Sequence, residues 1–349
     1  MDKQERNYGI DLLRIVLMYM VCMLHVLAQG SVLRGCEEGT LRYGVFWFLE
    51  VCSYCAVNGF ALISGYTAAN KPQKYEKLVG MWSQAWFYSF LVTVILCWAG
   101  FGEPRGAADF IRVSMPVLNN SFWYFTAYVV LFFAMPMLNG FIFSLSEKQA
   151  RKGFIILMVL FSAMTTVHDS FVTNDGYSPI WLIVLYCMGG FAKRIRLFEE
   201  KSTGYLVVCF AASTLLSWAG AVMGSLVLTS YVSPTMVLNG VLLVVLFSRI
   251  PVKGTYIRKI APLVFGVYLF QLNEIVWGSI LKDAAVFVLE KNLIAGICGI
   301  FGCAALLFFA GLLVEWLRST LERLLRMQRV YCFIAEKAEA VLDRIAMSL

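Results

Sequence analysis

Two side chains in the first apolar stretch carry the chemistry of a reaction site, Arg14 and His25. They are eleven residues apart. At about 100° and 1.5 Å per residue, that spacing places both on one helix face, about 16 Å apart along the axis. An imidazole exchanges a proton near neutral pH and suits a general base. A guanidinium holds a phosphate or carboxylate with paired donors. Asp11 stands one turn before Arg14, at i, i+3 spacing for an ion pair. As a purely anchoring feature, that pair would snorkel and fix the helix end. His25 is too deep to snorkel, and as a packing residue it would need a hydrogen bond to a neighbouring helix.

Ionisable groups in hydrocarbon are costly and mark pathways or sites. Besides Asp11, Arg14 and His25, the apolar stretches hold Glu50 and Glu274, with Asn58, Asn239, Gln271 and Asn273 as neutral amides. Counted at about 1.5 Å per residue, His25 is roughly 22 Å from the start of its span. By the same measure Glu50 is about 10 Å below the far surface and Glu274 about 18 Å up its span. Either carboxylate could orient the imidazole and stabilise its protonated form, as in catalytic triads. Glu50 and Glu274 are therefore candidate catalytic partners of His25. The other histidine, His168, opens a loop beside Asp169 and is read as having no role.

These residues must be positioned by membrane helices. The chain has 349 residues, 60% hydrophobic and only 15% charged, with mean hydropathy +0.74; soluble domains carry about 25% charged residues. Stretches long enough to cross about 30 Å of hydrocarbon fall near 10–30, 43–69, 80–101, 122–143, 154–167, 179–192, 204–228, 235–248, 262–281 and 293–314. The fold class is all-α, a polytopic bundle of about ten transmembrane helices. Of the 29 Lys and Arg residues, 22 fall in alternate segments that include both termini, 6 in the others, and Arg14 within the first span. The positive-inside rule then puts both termini in the cytoplasm of an inner-membrane protein. The net charge of +7 is explained by that bias, and no nucleic-acid module accompanies it.

The start, Met1 to Gly9, is polar, and no small-residue cleavage site follows the first apolar stretch, so a retained first helix is expected. The ten cysteines lie mostly within spans as small hydrophobes. Cys52 and Cys55 form a CxxC without a second ligand pair, so no metal site is expected. Gly220-x-x-x-Gly224 is read as a close helix contact. Two regions result, a transmembrane domain over 1–314 and a cytoplasmic tail over 315–349. In the tail Leu317, Leu321, Leu324, Tyr331, Ile334, Ala338, Val341 and Ile345 recur at helical spacing between basic residues. It reads as an amphipathic helix on an anionic leaflet, with membrane lipid as its partner.

Arg6-Asn-Tyr-Gly-Ile-Asp-Leu-Leu-Arg14 through His25 resembles the signature of the acyltransferase 3 family, bacterial integral-membrane O-acyltransferases. That signature is a D-x-x-R with ten residues between its Arg and a His. Gly59-Phe-Ala-Leu-Ile-Ser-Gly-Tyr66 is similar to the family's second-helix segment ending in S-G-[FY]. Phe122-Trp-Tyr-Phe-Thr-Ala-Tyr128, leading to Pro136, looks like its W-[FY]-rich fourth helix, and Phe265-Gly-Val-Tyr-Leu-Phe-Gln271 like its late G-[IV]-Y-L-x-H motif. Two departures stand out. The late His is Gln271, so no second-histidine role carries over. The basic pair entering the third helix is represented by Lys77 with Gly80, shifting donor contacts toward Lys71 and Lys74.

The resemblance implies an enzyme that takes an acyl group, expected to be acetyl, from cytoplasmic acyl-CoA to a hydroxyl of a cell-surface glycan or related acceptor. Acyl-CoA (acetyl-CoA) would be the co-substrate, without a metal. His25 carries over as the base, acting directly or through an acyl-histidine. Arg14 carries over as a donor-binding or gating residue, with Asp11, Lys71, Lys74 and Lys77 beside it. Trp123 and Tyr124 offer ring faces to a sugar, and Asn58, Gln271 and Asn273 offer amides to the acceptor. The alternative is a transporter or permease for a small amino acid or glycan, since the same intramembrane polar residues would line a pathway.

Overall fold

A computed structural model of the chain describes residues 6–68, 73–102 and 106–348. Lys3, Lys71 and Arg105, counted above for charge or donor binding, lie outside the described residues. The fold is 77% helix, with no strand among the described residues.

Among the described residues, eight helices are long and apolar enough to cross a membrane. They are α1 (Tyr8–Ala28), α2 (Leu41–Tyr66), α3 (Tyr75–Trp98), α4 (Trp123–Ser144), α5 (Glu147–Val167), α7 (Thr203–Val222), α8 (Val227–Ser248) and α10 (Leu293–Leu324). The sixth expected span is α6 (Pro179–Arg194), a helix of 16 residues that is almost wholly buried. At 1.5 Å per residue it is about 24 Å long, short of a full crossing by itself. The ninth is α9 (Ile257–Gln271), which breaks and bends by 73° into an arm, Val276–Glu290. Side-chain caps start most helices: Asn7, Thr40, Ser146, Ser178, Ser202, Ser233 and Asn292 each accept a first-turn N–H.

The bend in α9 is built by Asn273. Its Oδ1 accepts the N–H groups of Ile275 and Val276, at 3.0 and 3.2 Å. Its Nδ2 donates to Tyr88 O and Thr93 Oγ1 of α3, at 2.8 and 2.7 Å. A break inside apolar surroundings persists only where the freed backbone groups are satisfied again. Close approach elsewhere depends on glycine. A Cβ on Gly65 would lie 1.8 Å from the Tyr186 carbonyl, and one on Gly189 2.2 Å from that of Leu62, so α2 and α6 meet backbone to backbone. The expected contact at Gly220-x-x-x-Gly224 does not form. Gly224 faces open space with φ +83° and lies just past the end of α7.

Connections sort onto two faces. On one, Asn7 donates to Ser248 O at 2.8 Å, Arg249 to Lys201 O at 2.8 Å, and Lys193 lies 4.9 Å over the Tyr66 ring. On the other, the N–H groups of Asp283 and Ala285 donate to Gln29 O and Gly30 O, Arg34 pairs with Asp283 at 3.0 Å, and Arg42 donates to the Leu289 and Lys291 carbonyls. Each set joins connections that the sequence reading places on one side. At the centre α1 packs against α2, α8, α9 and α10, which is what fixes Arg14 and His25.

Position 315 is not a structural boundary. The helix α10 runs on to Leu324, and the turn falls at Arg326, with φ 55°. There α11 (Met327–Ser348) folds back against α3 through the buried Tyr331 and Ala335. Val341 and Ile345 remain half-exposed, an apolar stripe without a protein partner among the described residues.

Candidate functional site

A continuous cavity of about 610 Å³ runs along α1. Near the face that carries Asn7 and Ser248 it is lined by Arg14, Ser64, Met81 and Ala261. Near the other face it is lined by Ala28, Glu50, Tyr54 and Tyr177. His25 lies on its wall between Trp123, Tyr124, Tyr268 and Trp277. Helical geometry had already placed Arg14 and His25 on one face; α1 turns that face to the cavity.

His25 is held from two directions. Its Nδ1 lies 2.9 Å from Gln271 Oε1. An amide oxygen only accepts, so Nδ1 carries a proton, and in the neutral ring Nε2 keeps its lone pair. The amide orientation is fixed in turn, because Gln271 Nε2 donates to Met18 Sδ at 3.6 Å. The Trp277 ring meets the imidazole edge to face, with centroids 4.9 Å apart. A neutral imidazole with its basic nitrogen unprotonated is the form a general base needs.

The partner of His25 is therefore an amide. Neither expected carboxylate takes that place. Glu274 sits in the α9 bend and pairs with Arg112 at 2.9 Å, away from the cavity lining, because the bend turns it toward the segment that joins α3 and α4. Glu50 does line the cavity, and its buried Oε2 has no hydrogen-bond partner among the described residues.

Arg14 is fixed by Asp11, whose Oδ1 accepts from its guanidinium at 2.6 Å, while Arg6 holds the other carboxylate oxygen. A guanidinium has five donors, so the ion pair leaves capacity for a ligand on the cavity side. Of the lysines read as donor-binding, Lys74 and Lys77 are exposed at the start of α3, Lys74 3.9 Å from Glu76. Neither lines the cavity.

The amides expected to meet an acceptor are buried behind the wall. Asn58 donates to Tyr231 O at 2.7 Å and accepts from Trp181 Nε1 at 3.1 Å. Asn273 is the bend cap, and the buried Gln271 bonds His25 and Met18. Trp123 and Tyr124 do line the cavity. The rings of Tyr54, Tyr177 and Tyr231 beside them are not distinguished in the sequence from the other tyrosines, and only the fold brings them together.

An acyltransferase-domain family model matches residues 7–316. The chain belongs to the acyltransferase 3 family. This makes it a membrane acyltransferase, an enzyme that transfers groups other than aminoacyl groups. No curated protein and no solved structure matches the chain. The match covers every cavity-lining residue and stops before α11.

Proposed function

We propose that this acyltransferase moves an acetyl group from acyl-CoA, entering at the basic face, to a hydroxyl of a cell-surface glycan or related acceptor at the opposite face. The observation that carries the reading is one cavity lined at one end by Arg14 and deeper by the Gln271-held His25. Arg14, fixed by Asp11, receives the donor's phosphate end. The narrow pantetheine arm then follows α1 toward His25, about 16 Å further along the helix.

The reaction needs one proton carrier. His25 Nε2 takes the hydroxyl proton as the acceptor oxygen attacks the thioester carbonyl carbon. The C–S bond breaks, and the imidazolium returns the proton to the departing thiolate. Gln271 Oε1 holds the Nδ1–H throughout, so the ring cannot turn its protonated nitrogen to the substrate. The apolar and aromatic wall excludes water that would otherwise hydrolyse the thioester.

The test uses purified protein, labelled acetyl-CoA and isolated cell-wall glycan. Arg14→Ala should raise the donor concentration needed for half-saturation while the protein remains folded; unchanged donor saturation rejects the assignment. Orientation in a bacterial inner membrane, termini cytoplasmic, is checked by labelling with a membrane-impermeant thiol reagent. In intact cells Lys74→Cys and Arg196→Cys should be shielded and Gly106→Cys and Val286→Cys labelled; the reverse pattern inverts the donor and acceptor ends.

A further inference from the structure

We propose that the cavity end opposite Arg14 is a subsite for an ammonium group on the acceptor, held by Glu50 among Tyr54, Trp123, Tyr177 and Tyr231. This deepens the acyl-transfer reading and rests on that cavity being the acceptor site.

Glu50 is 6% exposed, lines the cavity, and leaves Oε2 without a partner among the described residues. A buried carboxyl oxygen left unpaired is costly unless a ligand completes it. Tyr54 lies four residues on in α2 and so shares its face. From Tyr54 the rings continue without a gap: Tyr54 to Tyr231 is 4.8 Å between centroids, Tyr231 to Tyr177 is 5.1 Å, and Tyr177 to Trp123 is 4.6 Å. The Tyr231 backbone is pinned by Asn58, which makes this wall rigid. Tyr177 is 44% exposed and forms the rim.

The composition of this end chooses between ligands. A polyhydroxyl sugar face needs several donors and acceptors, yet Asn58, Gln271 and Asn273 are occupied behind the wall. Ring faces carry negative quadrupole charge and attract cations, most strongly where water is excluded. With the one lining guanidinium, Arg14, at the far end, a carboxylate among four rings is matched by an amine cation. The acceptor class is a hydroxyl compound bearing a free amine, such as an unacetylated amino sugar or an amino-acid-substituted polyol.

The experiment measures equilibrium binding of glucosamine and of glucose to the purified full-length protein in nanodiscs at neutral pH. Glucosamine should bind tighter by at least about tenfold, the scale of a desolvated cation–π contact. Glu50→Gln, which keeps the side-chain shape, should erase the preference, and Tyr177→Leu at the rim should weaken glucosamine binding. Thermal unfolding of each variant confirms that it is folded. Equal binding of the two sugars, no saturable binding of either, or a preference that survives in Glu50→Gln overturns the proposal. Acetyl-CoA turnover on the same samples separates the two readings. Equal acetylation of glucose and glucosamine removes the ammonium subsite and leaves acyl transfer standing. Glu50-dependent glucosamine binding without turnover keeps the subsite and removes acyl transfer.

Discussion

Two sets of charged and titratable side chains within this bundle are connected differently. Toward the C-terminal end of α10, Glu315 and Arg318 are 2% and 8% exposed. Glu315 accepts from Tyr88 at 3.0 Å and from Arg318 at 2.7 and 2.9 Å, and Arg318 also reaches Glu322, which meets Tyr331 of α11. A Cβ on Gly266 of α9 would collide with Glu315, so the helices close tightly over the pair. Along the cavity the pattern is the opposite. Among the described residues, His25 has one ring nitrogen engaged, Arg14 has one ion-pair partner, and Glu50 Oε2 has no hydrogen-bond partner. A saturated network joins helices; an unsaturated one keeps bonding capacity for a ligand.

That contrast can be broken by substitution. His25→Ala should reduce acyl transfer by roughly 10²–10⁴, the usual worth of a general base, with the unfolding midpoint little changed. Arg318→Ala should do the reverse. Leaving Glu315 buried without its partner costs about 3–5 kcal/mol, seen as a large drop in the thermal midpoint and in folded yield. Full activity at normal yield in that variant would show that the Glu315–Arg318 network is dispensable.

Gln271→Leu comes next. Removing a group that orients a working histidine costs about 10–100-fold by analogy with metal-bound imidazoles. Turnover should fall while donor saturation stays put, and Gln271→Glu, which still accepts from Nδ1–H, should recover part of the rate. A Leu variant as fast as the parent would make the 2.9 Å contact incidental.

The smallest effect concerns the loop that carries Tyr177. Burial alone would push the Asp169 carboxyl up, but the N–H groups of Thr173 and Asn174, which it accepts at 2.9 and 2.7 Å, outweigh that and hold it below its ordinary value. With a depressed value, its contribution is complete above the usual carboxylate range and disappears as pH falls through the lowered value. Exchange at Thr173 and Asn174, taken relative to the intrinsic amide rate at each pH, should therefore quicken on strong acidification. In Asp169→Asn it should be faster already at neutral pH and lose that acid dependence.

Much of this was legible in the sequence, for reasons that also explain the misses. Arg14 and His25 stood out because charge and imidazole are rare in apolar spans, and helical periodicity put them on one face. The spans followed from length and from the sidedness of Lys and Arg. Glu274 was misjudged because depth along a helix says nothing of azimuth, and the 73° bend beyond Gln271 redirects it. Gln271 as the partner of His25 depends on a contact 246 residues away in sequence. Glu315 and Arg318 were assigned to a surface tail because hydropathy falls there while the helix continues; their i, i+3 spacing was the available signal. The tyrosine wall converges from three separate segments, which no local pattern encodes.

The central claim is that the proton carrier is His25, and the most direct measurement is the pH dependence of acyl transfer by wild type and His25→Gln. The wild-type rate should fall on the acid side, by about tenfold per pH unit once the imidazole is protonated. His25→Gln, which keeps size and hydrogen bonding, should stay at least about 100-fold below the wild-type plateau and lack that acid limb. A His25→Gln protein transferring acetyl groups near the wild-type rate, or keeping the same acid limb, would contradict the account and make His25 a packing residue.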